Sequence, residues 1–358
     1  MLFKLANLSQ LDDFDSILDA RTPAEYQIDH IPHAINTPTL TDAERILVGS
    51  TYKQISGFEA KKRGGALAAR NIATHIETLF MDKPKNWTPL VYCWRGGNRS
   101  GSMVTILRAI GWQAQQLEGG HKAYRKQVVE SLETLPSHYQ FTMIGGATGS
   151  GKSALLNELA LQGAQVLDLE SLAQHRGSVL GRFADKPQPT QKWFDSQLAD
   201  RLRRFDARKP IFVEAESKKI GQIALPESLI AAMRKAPLWQ IKAPIASRVA
   251  YLLADYAEYV KHPDRLKQQL TYLLPLFGHE KLNQWHQLID AGNFAEITER
   301  LLCEHYDTLY QRALERQSDF RPPQKALMLA DLSPDTLNKT AQQIIHETSS
   351  NFHVLPLQ

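Results

Sequence analysis

Two short stretches carry residue types that do chemistry. In "LVYCWRGGNRSGS", Leu90 to Ser102, Cys93 and Arg99 bracket a C-x5-R segment made of Trp94, Arg95, Gly96, Gly97 and Asn98, with Ser100 just after it. In "MIGGATGSGKSALL", Met143 to Leu156, the plan is the same with Lys152 in place of the cysteine. Each is an apolar run ending in a glycine-rich loop before a helix begins. A loop between a strand's carboxyl end and a helix's amino end gathers unpaired backbone N–H groups, and glycine lets them turn inward around an anion. In the first loop that field, with Arg95 and Arg99 nearby, favours a thiolate over a thiol, so Cys93 is expected to act as a nucleophile toward the bound anion. The alternative is a cysteine packed in the core at a strand end, the usual fate of a free thiol. The glycines and two arginines favour the reactive reading. Cys303, in a helical pattern beside Leu301 and Leu302, is expected to be inert.

The second loop, "GATGSGKS", fits G-x-x-x-x-G-K-[ST] without a mismatch and has the strand before it and the helix after it that the motif requires. Gly146, Ala147, Thr148, Gly149, Ser150 and Gly151 would cradle a diphosphate, and Lys152 would neutralise its terminal phosphate. Ser153 would hold a magnesium ion if one is used, since hard oxygen ligands suit it. An acidic partner is expected at the end of another strand, where "PIFVEAES" offers Glu214 and Glu216. Any ligand with a diphosphate fits such a cradle, and hydrolysis is not implied.

The elements that position these loops alternate. "SILDAR" reads as a buried strand, and "TPAEYQIDH" opens as a helix with a threonine cap and proline in its first turn. Apolar positions recurring at three and four residues predict a helix over 68–80, and Met103, Ile106, Leu107 and Ile110 mark another that ends at Gly111. The polar stretch "SLETLPSHYQ" is the expected domain boundary, giving domains 1–135 and 136–358. Beyond it, strands are expected at 141–146, 165–170, 210–216 and 238–243, a helix at 152–162, a helical region at about 248–316, then one more strand in "ALMLAD" and a helix. This is an α/β chain: an open parallel sheet, then a phosphate-loop α/β domain with a helical C-terminal part.

The chain has 358 residues, 42 Lys+Arg against 38 Asp+Glu and two cysteines. A disulfide framework is excluded, and a reducing cytoplasm is the expected compartment. No segment reads as a signal peptide or as a membrane span. The 12 histidines show no metal-ligand spacing with the cysteines, so no bound metal is expected beyond that magnesium ion, and no tightly held cofactor.

The first 130 residues or so resemble the rhodanese (sulfurtransferase) family. "ILDARTPAEYQIDHIPHAIN" is similar to its D-x-R and H-I-P-x-A signatures, and "LEGGHKAYR" to its closing L-x-G-G element. His33 stands where that family usually has glycine. The cysteine loop is one residue longer than in ordinary sulfurtransferases, which implies a wider cradle and a tetrahedral, phosphate-like anion. The whole chain resembles the tRNA 2-selenouridine synthase family through "YCWRGGNRS", "GGATGSGKS", "LESLAQHRGS", "QPTQKWFDSQL" and "VEAESKKIG". That resemblance implies exchange of sulfur for selenium in 2-thiouridine at the tRNA wobble position, through an S-geranyl intermediate. Selenophosphate would be the selenium donor, with its producing enzyme as a partner, and geranyl diphosphate the prenyl donor.

On this reading the cysteine loop takes selenophosphate and the phosphate loop takes geranyl diphosphate, although a nucleotide would fit the second equally. Candidate tRNA contacts are Lys61, Lys62 and Arg63, a second basic run at Arg201, Arg203, Arg204, Arg208 and Lys209, and His175 with Arg176 nearer the base. Two rivals stand beside it: a rhodanese-related cysteine phosphatase or sulfurtransferase with a nucleotide-binding domain, and a nucleotide-dependent binding module. Tyr92, where cysteine phosphatases usually carry histidine, counts against the phosphatase.

Overall fold

A computed structural model of the chain describes residues 5–178, 181, 186–316 and 325–350. It falls into two compact units, Met1–Ser131 with Thr190–Asp200, and Leu132–Pro189 with Arg201–Gln358.

The first unit is built on strands β1 (Leu5–Ala6), β2 (Ser16–Asp19), β3 (Ile35–Asn36), β4 (Pro89–Tyr92) and β5 (Gln115–Leu117), all parallel in the order β1-β5-β4-β2-β3. The central strand β4 is buried along its whole length, as its unbroken apolar run requires when both faces are covered. Leu18, Val91, Met103, Val104, Leu107, Ile72, Phe80, Trp87 and Trp112 form the core on one side of it. Register sets Asp19 opposite Tyr92, so the carboxyl ends of β2 and β4 open together. The expected helix after β2 is Pro23–Ile28, with Thr22 and Glu25 forming a reciprocal capping box. The helix expected over 68–80 begins at Gly57 under a Ser56 cap and runs to His75, with one π turn carrying it to Phe80. Gly64 and Gly65 both lie inside it.

The second unit has β6 (Phe141–Gly146), β7 (Gln165–Leu167), β8 (Ile211–Glu214), a small antiparallel pair β9 (Lys219–Ile220) and β10 (Ile223–Ala224), β11 (Leu238–Lys242) and β12 (Lys325–Met328). Its main sheet is parallel in the order β12-β11-β6-β8-β7. Helices Lys152–Leu161 and Pro334–Ser350 cover one face over Ile144, Phe212, Trp239, Ile241 and Leu327. Helices from Ile245 to Arg316 form the expected helical part, with a core of their own around Trp285, Leu270, Leu273, Leu282 and Ile297.

The strand expected over 165–170 stops at Leu167. Asp168 caps the short helix Leu169–Ala173 by accepting from Ser171 N–H at 2.7 Å. In both sheets the glycine loops leave the carboxyl end of an inner strand, where open α/β sheets place their ligands.

Candidate functional site

At the end of β4 the chain turns through Cys93–Gly97 into the helix Asn98–Ile110, with Gly97 as its N-cap. The Cys93 sulfur accepts from Gly97 N–H at 3.2 Å and from the Ser100 hydroxyl at 3.1 Å. Cys93 itself is only 3% exposed and touches the core beneath the sheet, so the sulfur sits at the floor of the loop. Gly96, at φ +67°, has no room for a side chain: a Cβ would lie 2.8 Å from Leu117 O. Gly120 is tighter still, at φ +57°, with its Cβ position 2.2 Å from Cys93 O and 2.6 Å from Gly96 N. The "LEGGHKAYR" segment thus braces the loop, and His121 and Lys122 N–H groups bond Cys93 O and Trp94 O at 2.9 Å each.

Trp94, Arg95, Gly97 and Asn98 are exposed around the mouth of this loop. Arg99 is not free to join them. Its guanidinium holds Glu25, Nη1 to Oε2 at 2.6 Å and Nη2 to Oε1 at 3.3 Å. Burial raises the Glu25 carboxyl, but Arg99 outweighs it and holds the group below the ordinary range. Of the two arginines expected beside the sulfur, Arg95 is exposed and Arg99 is committed to Glu25.

The D-x-R signature is a buried framework. Arg21 grips Asp19 and also donates to Asp29 O at 2.6 Å, while the Tyr92 hydroxyl donates to Asp19 at 2.7 Å and accepts from Ile31 N–H at 3.1 Å. A second buried carboxylate, Asp29, faces His121 Nε2 at 3.1 Å, accepts from Ser196 at 2.7 Å and has Arg125 Nε at 3.4 Å. Burial depresses the His121 imidazole. The segment Thr190–Asp200, which carries most of "QPTQKWFDSQL", packs here: Trp193 stacks on His30 at 3.8 Å, and Arg125 binds Asp195 at 3.2 Å. His33, the departure from the family glycine, adopts φ +66°. That is the left-handed conformation for which glycine is the natural occupant.

In the second unit the chain leaves β6 through Ala147–Gly151 into the helix Lys152–Leu161. Gly149 (φ +76°) and Gly151 (φ +82°) give the loop its inward turn, and a Cβ on Gly146 would strike the Ser150 hydroxyl at 2.4 Å. Lys152 Nζ donates to Gly146 O at 3.0 Å. Thr148 O is clamped by Arg248, Nε at 2.9 Å and Nη2 at 2.7 Å, and Arg248 is fixed in turn by Asp307.

The loop lines a cavity of about 810 Å³ together with Asp168, Glu170, His175, Arg176, Glu216 and Tyr251. The expected acidic partners divide. Glu216 lines the cavity, whereas Glu214 is buried behind it, accepting Glu170 N–H at 2.7 Å. The carboxylate that meets the loop is Glu170, which accepts from Ser153 at 3.2 Å. Burial and the neighbouring Glu216 push the Glu170 carboxyl up to about 8, so the two carboxyls share a proton carried by Glu170. Burial likewise pushes Glu214 well up, helped by Asp168. Ser153, Glu170 and Glu216 are the oxygen donors that would hold a magnesium ion here, on release of the shared proton.

Against the Thr148 wall lies a second pocket, about 70 Å³, lined by Leu252, Leu253, Val260, Phe294, Ile297, Thr298, Leu301 and Leu302 and sharing Leu252, Tyr256 and Tyr259 with the phosphate cavity. Glu170, Arg248 and this pocket were not singled out from the sequence. Glu170 sits in "LESLAQHRGS", where His175 and Arg176 drew attention instead. His175 is buried, and Arg176 is held by Asp255 at 3.0 Å and stacked over Tyr256 at 4.4 Å. Gln188 ties three signature segments together, donating to Ala173 O at 3.1 Å and Ile220 O at 3.0 Å and accepting Gln222 N–H at 2.8 Å. Lys61, Lys62 and Arg63 are exposed on the helix Gly57–His75, with Lys62 paired to Glu59. In the other basic run, Arg208 is paired with Asp206. No helix among the described residues is long and apolar enough to cross a membrane.

Comparison with known proteins matches two domains in the chain. Residues 4–127 fit the rhodanese-like domain, and residues 139–325 fit the tRNA 2-selenouridine synthase AAA domain. Curated tRNA 2-selenouridine synthases align over most of their length. That of Nitrosomonas europaea is 30% identical over 314 residues, covering 85% of this chain and 81% of its own. That of Shewanella halifaxensis is 30% identical, covering 85% and 90%, and that of Marinobacter nauticus is 36% identical, covering 84% and 89%. Both glycine loops lie inside the matched domains, and the chain belongs to the tRNA 2-selenouridine synthase family.

Proposed function

We propose that this chain exchanges sulfur for selenium at C2 of 2-thiouridine at the wobble position of tRNA, in two steps served by its two anion loops. The observation that carries the reading is the pairing, in one chain, of a sulfur under two hydrogen-bond donors with a phosphate cradle that shares a wall with an apolar pocket. The names of its relatives supply the tRNA and the selenium. A tRNA substrate also fits a cytoplasmic enzyme.

In the first step the thiocarbonyl sulfur attacks C1 of geranyl diphosphate. A C–S bond forms, the C–O bond breaks, the diphosphate leaves with the electron pair, and the base gives up its N3 proton. Lys152 and the loop N–H groups stabilise the charge that gathers on the leaving diphosphate. A magnesium ion on Ser153 and Glu170 would add to that neutralisation. A nucleotide would fit the phosphate cradle too, but the pocket beside Thr148, about 70 Å³ and lined by aliphatic and aromatic side chains, suits the first carbons of a hydrocarbon tail.

Alkylation makes C2 a better electrophile and gives the sulfur a competent leaving form. In the second step the cysteine loop holds selenophosphate, with Arg95 at its mouth. The Cys93 thiolate attacks phosphorus, the P–Se bond breaks, and hydroselenide departs. Hydroselenide adds at C2, N3 regains a proton from solvent, and the geranyl thiolate leaves, taking the proton carried by selenium. Water then hydrolyses the phosphocysteine, returning the thiolate. Selenophosphate is delivered by the enzyme that makes it, and the exposed Lys61, Lys62 and Arg63 offer phosphate contacts for the tRNA.

Arg99, the arginine that a cysteine phosphatase would turn toward its substrate, is committed here to Glu25. The test is Cys93→Ser. Geranylation should persist and selenation stop; loss of both, or of neither, would refute the division of labour.

A further inference from the structure

We infer that Gln116 is a positioning residue for the Cys93 sulfur, acting by fixing the direction in which the Ser100 hydroxyl donates. The inference rests on Cys93 being the nucleophile, and it follows from counting hydrogens. Gln116 lies on β5, 7% exposed, with its Nε2 3.0 Å from Gly97 O and 2.8 Å from Ser100 Oγ. A carbonyl oxygen only accepts, so the amide nitrogen, not its oxygen, must face Gly97, and its two hydrogens serve these two partners. Gly97 O also receives Gly101 N–H at 3.0 Å, which fills its two lone pairs. The Ser100 hydrogen therefore finds Gly97 O, at 3.3 Å, already occupied, and is left to the Cys93 sulfur at 3.1 Å.

Ser100 is fully buried, so water does not compete for that hydrogen. With Gly97 N–H at 3.2 Å, the sulfur is supplied with two donors before any anion arrives. Charged and titratable groups on the elements packed around it are directed elsewhere. Arg99 is on Glu25, Arg21 and the Tyr92 hydroxyl are on Asp19, the His121 ring faces Asp29, and Arg95 stands exposed at the loop mouth. The Ser100 hydroxyl, directed by Gln116, and the Gly97 N–H are thus the neutral donors left to stabilise the thiolate.

The test is alkylation of Cys93 by iodoacetamide across pH 5.5–9.5 in the full chain, carried in a Cys303→Ser background because Cys303 is exposed. Ser100→Ala removes a donor to a charged acceptor and should slow alkylation at pH 7 by about tenfold or more, displacing the profile to higher pH. Gln116→Met, which frees the hydroxyl to rotate, should do so by a few fold. Gln116→Glu should exceed Gln116→Met, because a carboxylate takes the Ser100 hydrogen for itself. Ser100→Thr should restore the wild-type profile. Unchanged profiles for Ser100→Ala and Gln116→Met, in proteins that melt like the wild type, would overturn the inference. Should the Gln116 variants fail to fold, an unchanged profile for Ser100→Ala still overturns the inference, since the hydroxyl that Gln116 directs would then do nothing for the sulfur. If the profiles move as expected while Cys93→Ser still selenates tRNA, the positioning holds and the nucleophile assignment falls.

Discussion

Replacing Glu170 by glutamine should stabilise the ligand-free protein, by more as the pH rises. The Glu170 carboxyl is pushed from an ordinary value of 4.5 to about 8 by burial and by Glu216. At neutral pH the unfolded chain has released this proton, whereas the folded chain retains it. A group with a raised folded-state value contributes its full stability below about 4.5, and loses that contribution as the pH climbs through about 8. Keeping the proton at pH 7 costs at most about 3 kcal/mol, from about 1.4 kcal/mol for each pH interval between the ordinary value and pH 7. Because Glu170 lines an open cavity, screening reduces this to about 1–2 kcal/mol. Glutamine imitates the protonated acid without that cost. For a unit of this size the gain corresponds to a rise of about 2–8 °C in melting midpoint at pH 7, somewhat more at pH 8 and shrinking toward pH 5. Calorimetry of wild type and Glu170→Gln at pH 8 and pH 5 is the assay. A wild type as stable as the variant at pH 8, or a gap that does not change with pH, would refute the shared-proton pair beside the phosphate loop.

Three further outcomes are expected. His33→Gly should raise stability by about 0.5–1 kcal/mol, measured by chemical denaturation, because it relieves a left-handed backbone held by a β-carbon at a largely exposed site. Thr298→Phe, which fills the apolar pocket from a half-buried position, should weaken geranyl diphosphate binding by about tenfold in titration calorimetry while leaving inorganic diphosphate unchanged. Replacing Lys61, Lys62 and Arg63 together by alanine should weaken tRNA binding and lower the slope of log affinity against log salt by about 2–3.

The architecture was legible where periodicity is long or the loop chemistry is strict. The apolar runs of β4, β6, β8 and β11 and the helices after both glycine loops fell where the sequence put them, because a fully buried strand and an amphipathic helix each impose a pattern over many residues. The strands β1 and β3, of two residues each, leave no such pattern, and the helix Asp42–Gln54 is masked by its polar composition. At the site, backbone cradles can be read from glycine spacing, but the partners of long side chains cannot. Arg99 looked like an anion ligand, and its choice of Glu25, 74 residues away in the chain, is decided by how a helix packs beside β4. Gln116, Glu170 and Arg248 were missed for the same reason: each acts through a contact made only in the fold. His33 shows the reverse. Its mismatch with the family glycine was visible in the sequence, and the structure supplies the backbone angle that explains it.

The two anion loops are proposed to perform successive steps on one base. The most direct measurement supplies tRNA bearing 2-thiouridine with geranyl diphosphate and selenophosphate, and weighs the digested nucleosides by mass spectrometry for wild type, Cys93→Ser and Lys152→Ala. Wild type should yield 2-selenouridine, Cys93→Ser should stop at the S-geranyl nucleoside, and Lys152→Ala should leave 2-thiouridine unaltered. Selenation by Cys93→Ser, or geranylation undiminished in Lys152→Ala, would contradict that assignment.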